Sequence, residues 1–345
     1  MSPSFFLTGG TGYIGGSVLH TLATAYPNAT ITILLRRTPP ATLASSYPNV
    51  RVLQGDYTST DILASAAENA DVVLHNGDSD HEPSLQALMT GLLRRATPGY
   101  LIHLSGTGIV SDWAEETYLG VQNPKVWSDI SSLGEIKQLP AAALHRNTET
   151  ILHETVEKYG GNKIHVAVMC PPDIYGPGKG LGKRQSALVP VFVKEALSAA
   201  MGKRVFYHAE GTNTRSWVHI DDLMRLYMRV VGAAVAGKET ERYFNANGYY
   251  FASTQEHSQL EFAKVTGDIL KRHGLIEDAE PVQITLEQLD SMANLPGFPK
   301  LARYLFASNS RTRAERAEKL FRYKGEAPDL LQCLEADVLD AVQKA

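Results

Sequence analysis

Gly9-Gly10-Thr11-Gly12-Tyr13-Ile14-Gly15 follows directly on the apolar run Ser4-Phe-Phe-Leu-Thr8 and is the clearest chemical signal in the chain. Glycines between a strand and a helix allow a tight turn and let the backbone N–H groups of the helix N-terminus approach a pyrophosphate. Strand, turn and helix in that order are the context the motif requires. Gly9, Thr11, Gly12, Tyr13, Ile14 and Gly15 are therefore read as the phosphate cradle of a dinucleotide. An acid near the end of the second strand, about 20 residues on, would take the ribose 2′-hydroxyl of NAD. This chain has Leu35, Arg36 and Arg37 there. Arginines pair with a 2′-phosphate, so the expected cofactor is NADP, with NAD as the weaker alternative. Asp56, in Gly55-Asp56-Tyr57, suits the adenine amino group, with Tyr57 beside it. His75 and Asn76, ending the fourth strand, would line the cofactor groove.

A second glycine cluster, Gly176-Pro-Gly-Lys-Gly-Leu-Gly-Lys183-Arg184, has the outline of a phosphate loop. Pro177 stands where its first glycine belongs, and Arg184 stands where Ser or Thr would hold magnesium. It reads as a loop on the substrate side.

Short apolar runs alternating with longer amphipathic ones must position these groups, the pattern of a parallel sheet covered on both faces. Ser4 to Thr8, Thr30 to Leu35, Val50 to Leu53, Val72 to His75, Tyr100 to Leu104 and Ile164 to Met169 read as six strands. Val18, Leu19, Leu22 and Tyr26 share a helical face, and Thr60 to Ala67 and Pro83 to Arg95 read as further helices. Prolines and glycines crowd Pro171 to Gly182 and end the rhythm. Ser216 to Val235 reads as an apolar helix returning to the sheet domain, and Ala252 to Ala345 as mostly helical. The expected fold is α/β: a doubly wound Rossmann sheet (residues 1–175 and 216–250) with a smaller, mostly helical C-terminal substrate lobe (residues 176–215 and 251–345).

The chain has 345 residues, 43% hydrophobic and 20% charged, with 33 Lys and Arg against 37 Asp and Glu for a net charge of −4. That balance gives no basic footprint for nucleic acid or an anionic membrane. No stretch approaches the roughly 18 apolar residues of a membrane helix, and the first residues lack the basic-then-apolar pattern of a signal peptide. Two cysteines, Cys170 and Cys333, make no disulfide framework and suit a reducing compartment, so the expected location is the cytoplasm. Asn28-Ala-Thr30 is discounted as a glycosylation site on that ground. No metal is expected, because His81-Glu82 and His153-Glu154 lack the second histidine of a zinc-protease helix. No Gly-x-Ser-x-Gly elbow occurs, which argues against a serine hydrolase. The basic run from Arg311 to Arg322 is interleaved with glutamates and reads as a solvated face.

Three stretches together resemble the extended short-chain dehydrogenase/reductase superfamily of the NAD-dependent epimerase/dehydratase type. They are Thr8-Gly-Gly-Thr-Gly-Tyr-Ile-Gly15, Pro171-Pro-Asp-Ile-Tyr-Gly-Pro-Gly178 and Arg215-Ser-Trp-Val-His-Ile-Asp-Asp222, in the family's order and spacing. The resemblance implies a sheet of about seven strands, bound NAD(P) with a contact at Pro172, a small-molecule substrate and a possible homodimer. It also implies a Ser or Thr after the fifth strand, met by Ser105 or Thr107, and a Tyr with a Lys four residues later. That pair is absent: counting back from Glu149, the Lys slot holds His145 and the Tyr slot Ala141. Tyr159-Gly-Gly-Asn-Lys163 has the spacing, but its glycines would break a catalytic helix. His145 could replace the lysine or itself exchange the proton, as imidazoles do near neutrality. By analogy Tyr175 could bring a phenol to the nicotinamide. His103 reads as a core residue, and Trp217, His219 and Asp221 as braces of the lobe.

The expectation is an NADP(H)-dependent oxidoreductase acting on a small carbonyl or hydroxyl substrate through an atypical active site. One alternative is a cofactor-binding sensor that has lost its chemistry, because Ala141 cannot donate a proton. The other is an epimerase or dehydratase that retains its NAD(P), in which hydride leaves and returns.

Overall fold

The computed structural model describes residues 2–292, 298 and 300–344. Seven strands form one sheet: β1 (Ser4–Thr8), β2 (Thr30–Leu35), β3 (Val50–Gln54), β4 (Val72–His75), β5 (Gly99–Leu104), β6 (Ile164–Cys170) and β7 (Tyr249–Phe251). Their order is β7-β6-β5-β4-β1-β2-β3 and every pairing is parallel. Such a sheet is covered on both faces, which is why its strands are continuous apolar, β-branched runs in the sequence. The strand order reverses between β1 and β4, the place where doubly wound sheets open a crevice at their carboxyl edge.

The helices that position the site are α1 (Tyr13–Ala25), α2 (Thr60–Glu68), α3 (Glu82–Arg94), α4 (Arg146–Tyr159), α5 (Leu188–Ala196), α6 (Ile220–Ala236), α7 (Gln259–Arg272) and α8 (Leu330–Lys344). Side chains of a strand alternate between faces, and β1 shows the consequence. Phe5 and Leu7 join the core with Val18, Leu19 and Leu22 of α1 and Leu223, Leu226 and Val230 of α6. Phe6 faces the other way, with Leu63 of α2 and Leu85, Leu88 and Leu92 of α3. Full burial of each such side chain is worth about 1.5–3 kcal/mol.

The lobe has its own core among α5, α7 and α8. There Phe192 meets Phe206, Phe262 and Phe306 with ring centres 4.8, 5.0 and 5.5 Å apart. Two expectations change. The segment beginning at Ser216 is not helical at its start: Thr214–His219 is a strand between Gln255–Ser258 and Asp173–Tyr175, and α6 begins only at Ile220. All six residues, Thr-Arg-Ser-Trp-Val-His, are buried although four are polar, so no apolar period marks the strand in the sequence. The chain also crosses back within 251–345, because Ala317 and Tyr323 pack into the sheet core rather than the lobe. No helix among the described residues is long and apolar enough to cross a membrane.

The loop after Tyr175 is clamped onto α1. The Tyr13 hydroxyl donates to the Gly176 carbonyl at 2.6 Å, Lys183 N–H to the Thr11 carbonyl at 2.9 Å, and Lys179 N–H to Ser17 Oγ at 3.1 Å. Contact this close needs glycine. A Cβ on Gly180 would lie 2.6 Å from Gly16 Cα, and one on Gly182 2.1 Å from the Thr11 carbonyl oxygen. Two histidines face each other across β4 and β5: His75 Nδ1 is 2.9 Å from His103 Nδ1, and both rings are buried. Burial pushes the His75 pKa down to about 4, helped by His81, and lowers that of His103 as well.

Gly180→Ala and Gly182→Ala are each expected to cost about 1–3 kcal/mol in urea unfolding, because the added methyl meets backbone. Gly232→Ala, in open space within α6, is expected to stabilise by about 0.5–1 kcal/mol. The histidine pair sets an acid limit. A depressed folded pKa leaves stability intact above the unfolded value near 6.5 and removes it as pH falls towards about 4. His75 alone then accounts for up to about 3 kcal/mol at 1.36 kcal/mol per unit. Urea midpoints measured from pH 7 to pH 4 should fall, and the fall should flatten in His75→Gln/His103→Gln.

Candidate active site

The turn after β1 is built for close approach. Gly9 has φ +75°, and a Cβ there would lie 2.1 Å from the Asn76 carbonyl oxygen. A Cβ on Gly15 would lie 2.3 Å from the Gly9 carbonyl oxygen, and Gly12 N–H donates to that same oxygen at 2.8 Å. Gly12 caps α1 without any side-chain bond, which leaves the first N–H groups of the helix for an anion. Thr8 Oγ1 and Asn76 Nδ2 are buried at this edge with no partner, while Asn76 Oδ1 accepts from the Tyr227 hydroxyl at 2.7 Å. A glycine cradle, an open helix N-terminus and orphaned polar atoms together fit a dinucleotide phosphate.

Beside the cradle, Gly9, Thr11, Leu34, Leu35, Arg36, Gly55, Asp56 and Tyr57 line a cleft of about 130 Å³. Arg36 belongs to its wall; Arg37 is exposed and outside it. Asp56 Oδ1 is occupied by Thr58 N–H at 2.9 Å, Thr58 Oγ1 at 2.7 Å and Ser59 Oγ at 3.2 Å. Those bonds, the Thr58 hydroxyl first, hold its carboxyl below the usual range. The Tyr57 hydroxyl sits where a Gly77 side chain would be, 2.2 Å from that Cβ position. His75, expected to line the groove, instead turns its ring into the sheet against His103. Pro172 is buried just past β6, beside Pro171, whose carbonyl accepts from Thr107 N–H at 3.0 Å.

The candidate proton-transfer residues do not converge as expected. Ser105 Oγ donates to Glu149 Oε1 at 2.5 Å, turned into the protein. Glu149 is fully buried, also accepts from the Tyr249 hydroxyl at 3.1 Å, and has its pKa raised by burial. Thr107 is likewise buried, its Oγ1 taken by Ser310 Oγ at 3.1 Å. The Tyr175 hydroxyl donates to the Pro328 carbonyl at 2.6 Å and accepts from Gln255 Nε2 at 2.5 Å. Burial of that ring raises its pKa. Tyr175 is thus a packing residue that ties the lobe together. Trp217 stacks on Phe262, and Asp221 pairs with Lys179 at 2.7 Å.

His145 is different. Helix α4 starts only at Arg146, after Pro140, so Ala141 lies on the preceding turn and His145 is the N-cap, at φ +63°. That left-handed conformation is uncommon for a residue with a Cβ and clusters at functional sites. Its Nδ1 lies 2.8 Å from Asp80 Oδ1 and 3.3 Å from Ser79 Oγ. The carboxylate fixes the ring, and Nε2 points over the turn after β5. Cβ positions on Gly106 and Gly108 lie 3.1 and 3.4 Å from it. Tyr159 and Lys163 lie at the far end of α4, where Lys163 N–H closes a turn on the Tyr159 carbonyl at 3.0 Å.

Two residues that sequence reasoning did not single out complete this corner. Asp80 follows β4 in a loop held to α4 by Asn147 Nδ2, which donates to the Asp80 carbonyl at 3.0 Å. Tyr304 comes from the far end of the chain, on a turn closed by Ser308 N–H to the Arg303 carbonyl at 2.9 Å. This is a single π-turn, an arrangement frequent at functional sites. The Tyr304 hydroxyl lies 2.9 Å from the Gly108 Cβ position. Its ring abuts Phe298, which abuts Trp113. The buried Arg215 guanidinium sits 4.8 Å from the ring centre, donates to the Tyr304 carbonyl at 2.7 Å and pairs with Asp173 at 2.5 Å. Burial raises the Tyr304 pKa, and the Arg215 charge opposes it. No local motif marks Tyr304, whose place depends on contacts far apart in sequence.

Comparison with known proteins agrees with this architecture. Residues 141–246 match the NAD dependent epimerase/dehydratase family, and residues 9–123 match an NAD(P)H-binding family. The chain is 30% identical to the oxidase ucsJ of Acremonium sp, over 100% of this chain and 99% of that protein. It is 22% identical to a dTDP-glucose 4,6-dehydratase of Mycobacterium tuberculosis over 67% of this chain and 70% of the relative. Among solved structures, DesIV, a dTDP-glucose 4,6-dehydratase of Streptomyces venezuelae with NAD and TYD bound, superposes with TM-score 0.64 at 19% identity. That match covers 99% of this chain and 97% of the other. A UDP-glucose 4-epimerase of Thermotoga maritima gives TM-score 0.63 at 14% identity, covering 99% of both. With a relative at this identity along its whole length and the glycine cradle in place, the chain belongs to the NAD-dependent epimerase/dehydratase family and is an NAD(P)-dependent enzyme of the oxidoreductase/epimerase type.

Proposed function

We propose that the protein is an NADP(H)-dependent oxidoreductase that interconverts a small carbonyl compound and its alcohol, with the Asp80–His145 dyad managing the proton. The observation that carries this reading is the pairing of His145 Nδ1 with Asp80 at 2.8 Å while Nε2 lies over Gly106 and Gly108 at the carboxyl edge of the sheet. A carboxylate behind an imidazole fixes the ring's orientation, which suits a group that gives and takes protons at its other nitrogen.

Gly9, Gly12, Tyr13, Ile14 and Gly15 would hold the pyrophosphate, Asp56 and Tyr57 the adenosine, and Arg36 the 2′-phosphate. The nicotinamide, when bound, supplies or accepts the hydride. Arg36 supports NADP because it lines the adenosine cleft, and Leu35, Arg36 and Arg37 put no carboxylate at the end of β2. The accompanying proton passes by way of His145, and Asp80 keeps its ring aimed. The loop of residues 176–184, clamped over α1, covers the cradle from the lobe side.

Calorimetric titration with NADPH and NADH tests the cofactor assignment. Arg36→Ala should weaken NADPH binding by about 10-fold, or 1.4 kcal/mol, and leave NADH unchanged. Equal loss for both, or none, overturns the preference for NADP. His145→Ala should slow turnover by about 100-fold or more with dinucleotide affinity retained.

A further inference from the structure

The family's tyrosine is missing from its helix, yet a phenol does reach the same corner of the molecule from another part of the chain. The Tyr304 hydroxyl and His145 Nε2 both lie within 3.4 Å of one point, the Cβ position of Gly108. A side chain at residue 108 would occupy that point, so glycine there keeps the space between them clear. The cation that a catalytic phenol needs beside it is also present. Arg215 packs on the ring at 4.8 Å and is locked by Asp173, the Tyr304 carbonyl and Ser308 Oγ at 2.8 Å.

We propose that Tyr304 is the catalytic acid/base of this enzyme, with Arg215 as its cationic neighbour and Asp80–His145 as its proton exchange with solvent. The proposal rests on the oxidoreductase reading above. In the reducing direction the substrate carbonyl carbon receives the hydride supplied by the reduced nicotinamide, which is oxidised by two electrons. The carbonyl π bond opens onto oxygen, and that oxygen takes the Tyr304 phenol proton, giving the alcohol and a phenolate. His145 returns a proton to the phenolate and regains one from water. Burial keeps the phenol protonated beforehand, as a donor must be, and the Arg215 charge steadies the phenolate afterwards. The charged and titratable groups around the ring are Arg215, Asp173, Asp80 and His145. The neighbouring rings of Phe298 and Trp113 give this end of the site an aromatic wall, so a carbonyl on a flat apolar body suits it.

The test uses the full chain, with Tyr304→Phe beside wild type and a panel of aryl aldehydes and aryl ketones as probes. Tyr304→Phe should bind NADPH within about 2-fold of wild type and unfold at the same urea concentration, yet reduce the probes at least about 100-fold more slowly. Rates within a few-fold of wild type overturn the proposal. A second readout needs no substrate: the tyrosine ¹³Cζ resonances, with that of Tyr304 identified by its loss in Tyr304→Phe. The Tyr304 signal should shift with pH in step with the His145 ring protons, and the shift should vanish in His145→Gln. A signal that ignores His145 overturns the relay, and it decides the matter if wild type reduces none of the probes. Failure of wild type to bind any dinucleotide would refute the oxidoreductase reading and leave the ¹³C result standing as a separate observation.

Discussion

The buried ion pair of Arg215 with Asp173 organises much of what is unusual here. Its two partners come from neighbouring strands, Thr214–His219 and Asp173–Tyr175, that lie between the large sheet and the lobe. The guanidinium then spends its remaining donors on the Tyr304 carbonyl and Ser308 Oγ, and so pins the π-turn that carries the Tyr304 ring. A buried charge left without its partner costs about 3–5 kcal/mol, so the pair is either intact with its full set of acceptors or seriously disruptive. The contact that joins the lobe to the sheet also holds a cation against a phenol.

The second constraint is close backbone packing at the carboxyl edge of the sheet. Gly9 and Gly15 fold the first turn onto itself and onto Asn76, while Gly180 and Gly182 lay the lobe's loop directly on α1 and Thr11. The cradle and the lobe are therefore positioned against each other by main chain, which is stiffer than contact through long side chains. His145 sits at the opposite side of that edge in a left-handed conformation, held by Asp80 in front and by α4 behind. The polar groups that face inward serve a different end. Ser105 and Tyr249 both donate to Glu149 in the core, which commits their hydroxyl protons.

Most of the sheet domain was legible because its physics is local. The β-branched, apolar runs at Thr30–Leu35 and Val72–His75 can be little else than buried strands, and the glycine turn announces itself by composition. The strand around Trp217 and Val218 is less legible, since Thr214, Arg215, Ser216 and His219 are polar residues buried beside them and no apolar period shows. Ser105, Thr107 and Tyr175 match by analogy a site whose central pair this chain lacks. Their hydroxyls turned out to be bonded to Glu149, Ser310 and Pro328.

The α/β class, the dinucleotide cradle from Gly9 to Gly15 and the absence of the usual Tyr-x-x-x-Lys pair can all be read from the chain alone, because each depends on residues adjacent in it. His145 is singled out in the same way, by its distance from Glu149. What surrounds that histidine is set by folding. Asp80, His145, Arg215 and Tyr304 come from four separate segments, and no spacing rule connects positions so far apart. What brings them together is the parallel strand order, which gathers the ends of β4 and β5 at one edge, and the return of the C-terminal chain across that edge through Arg215.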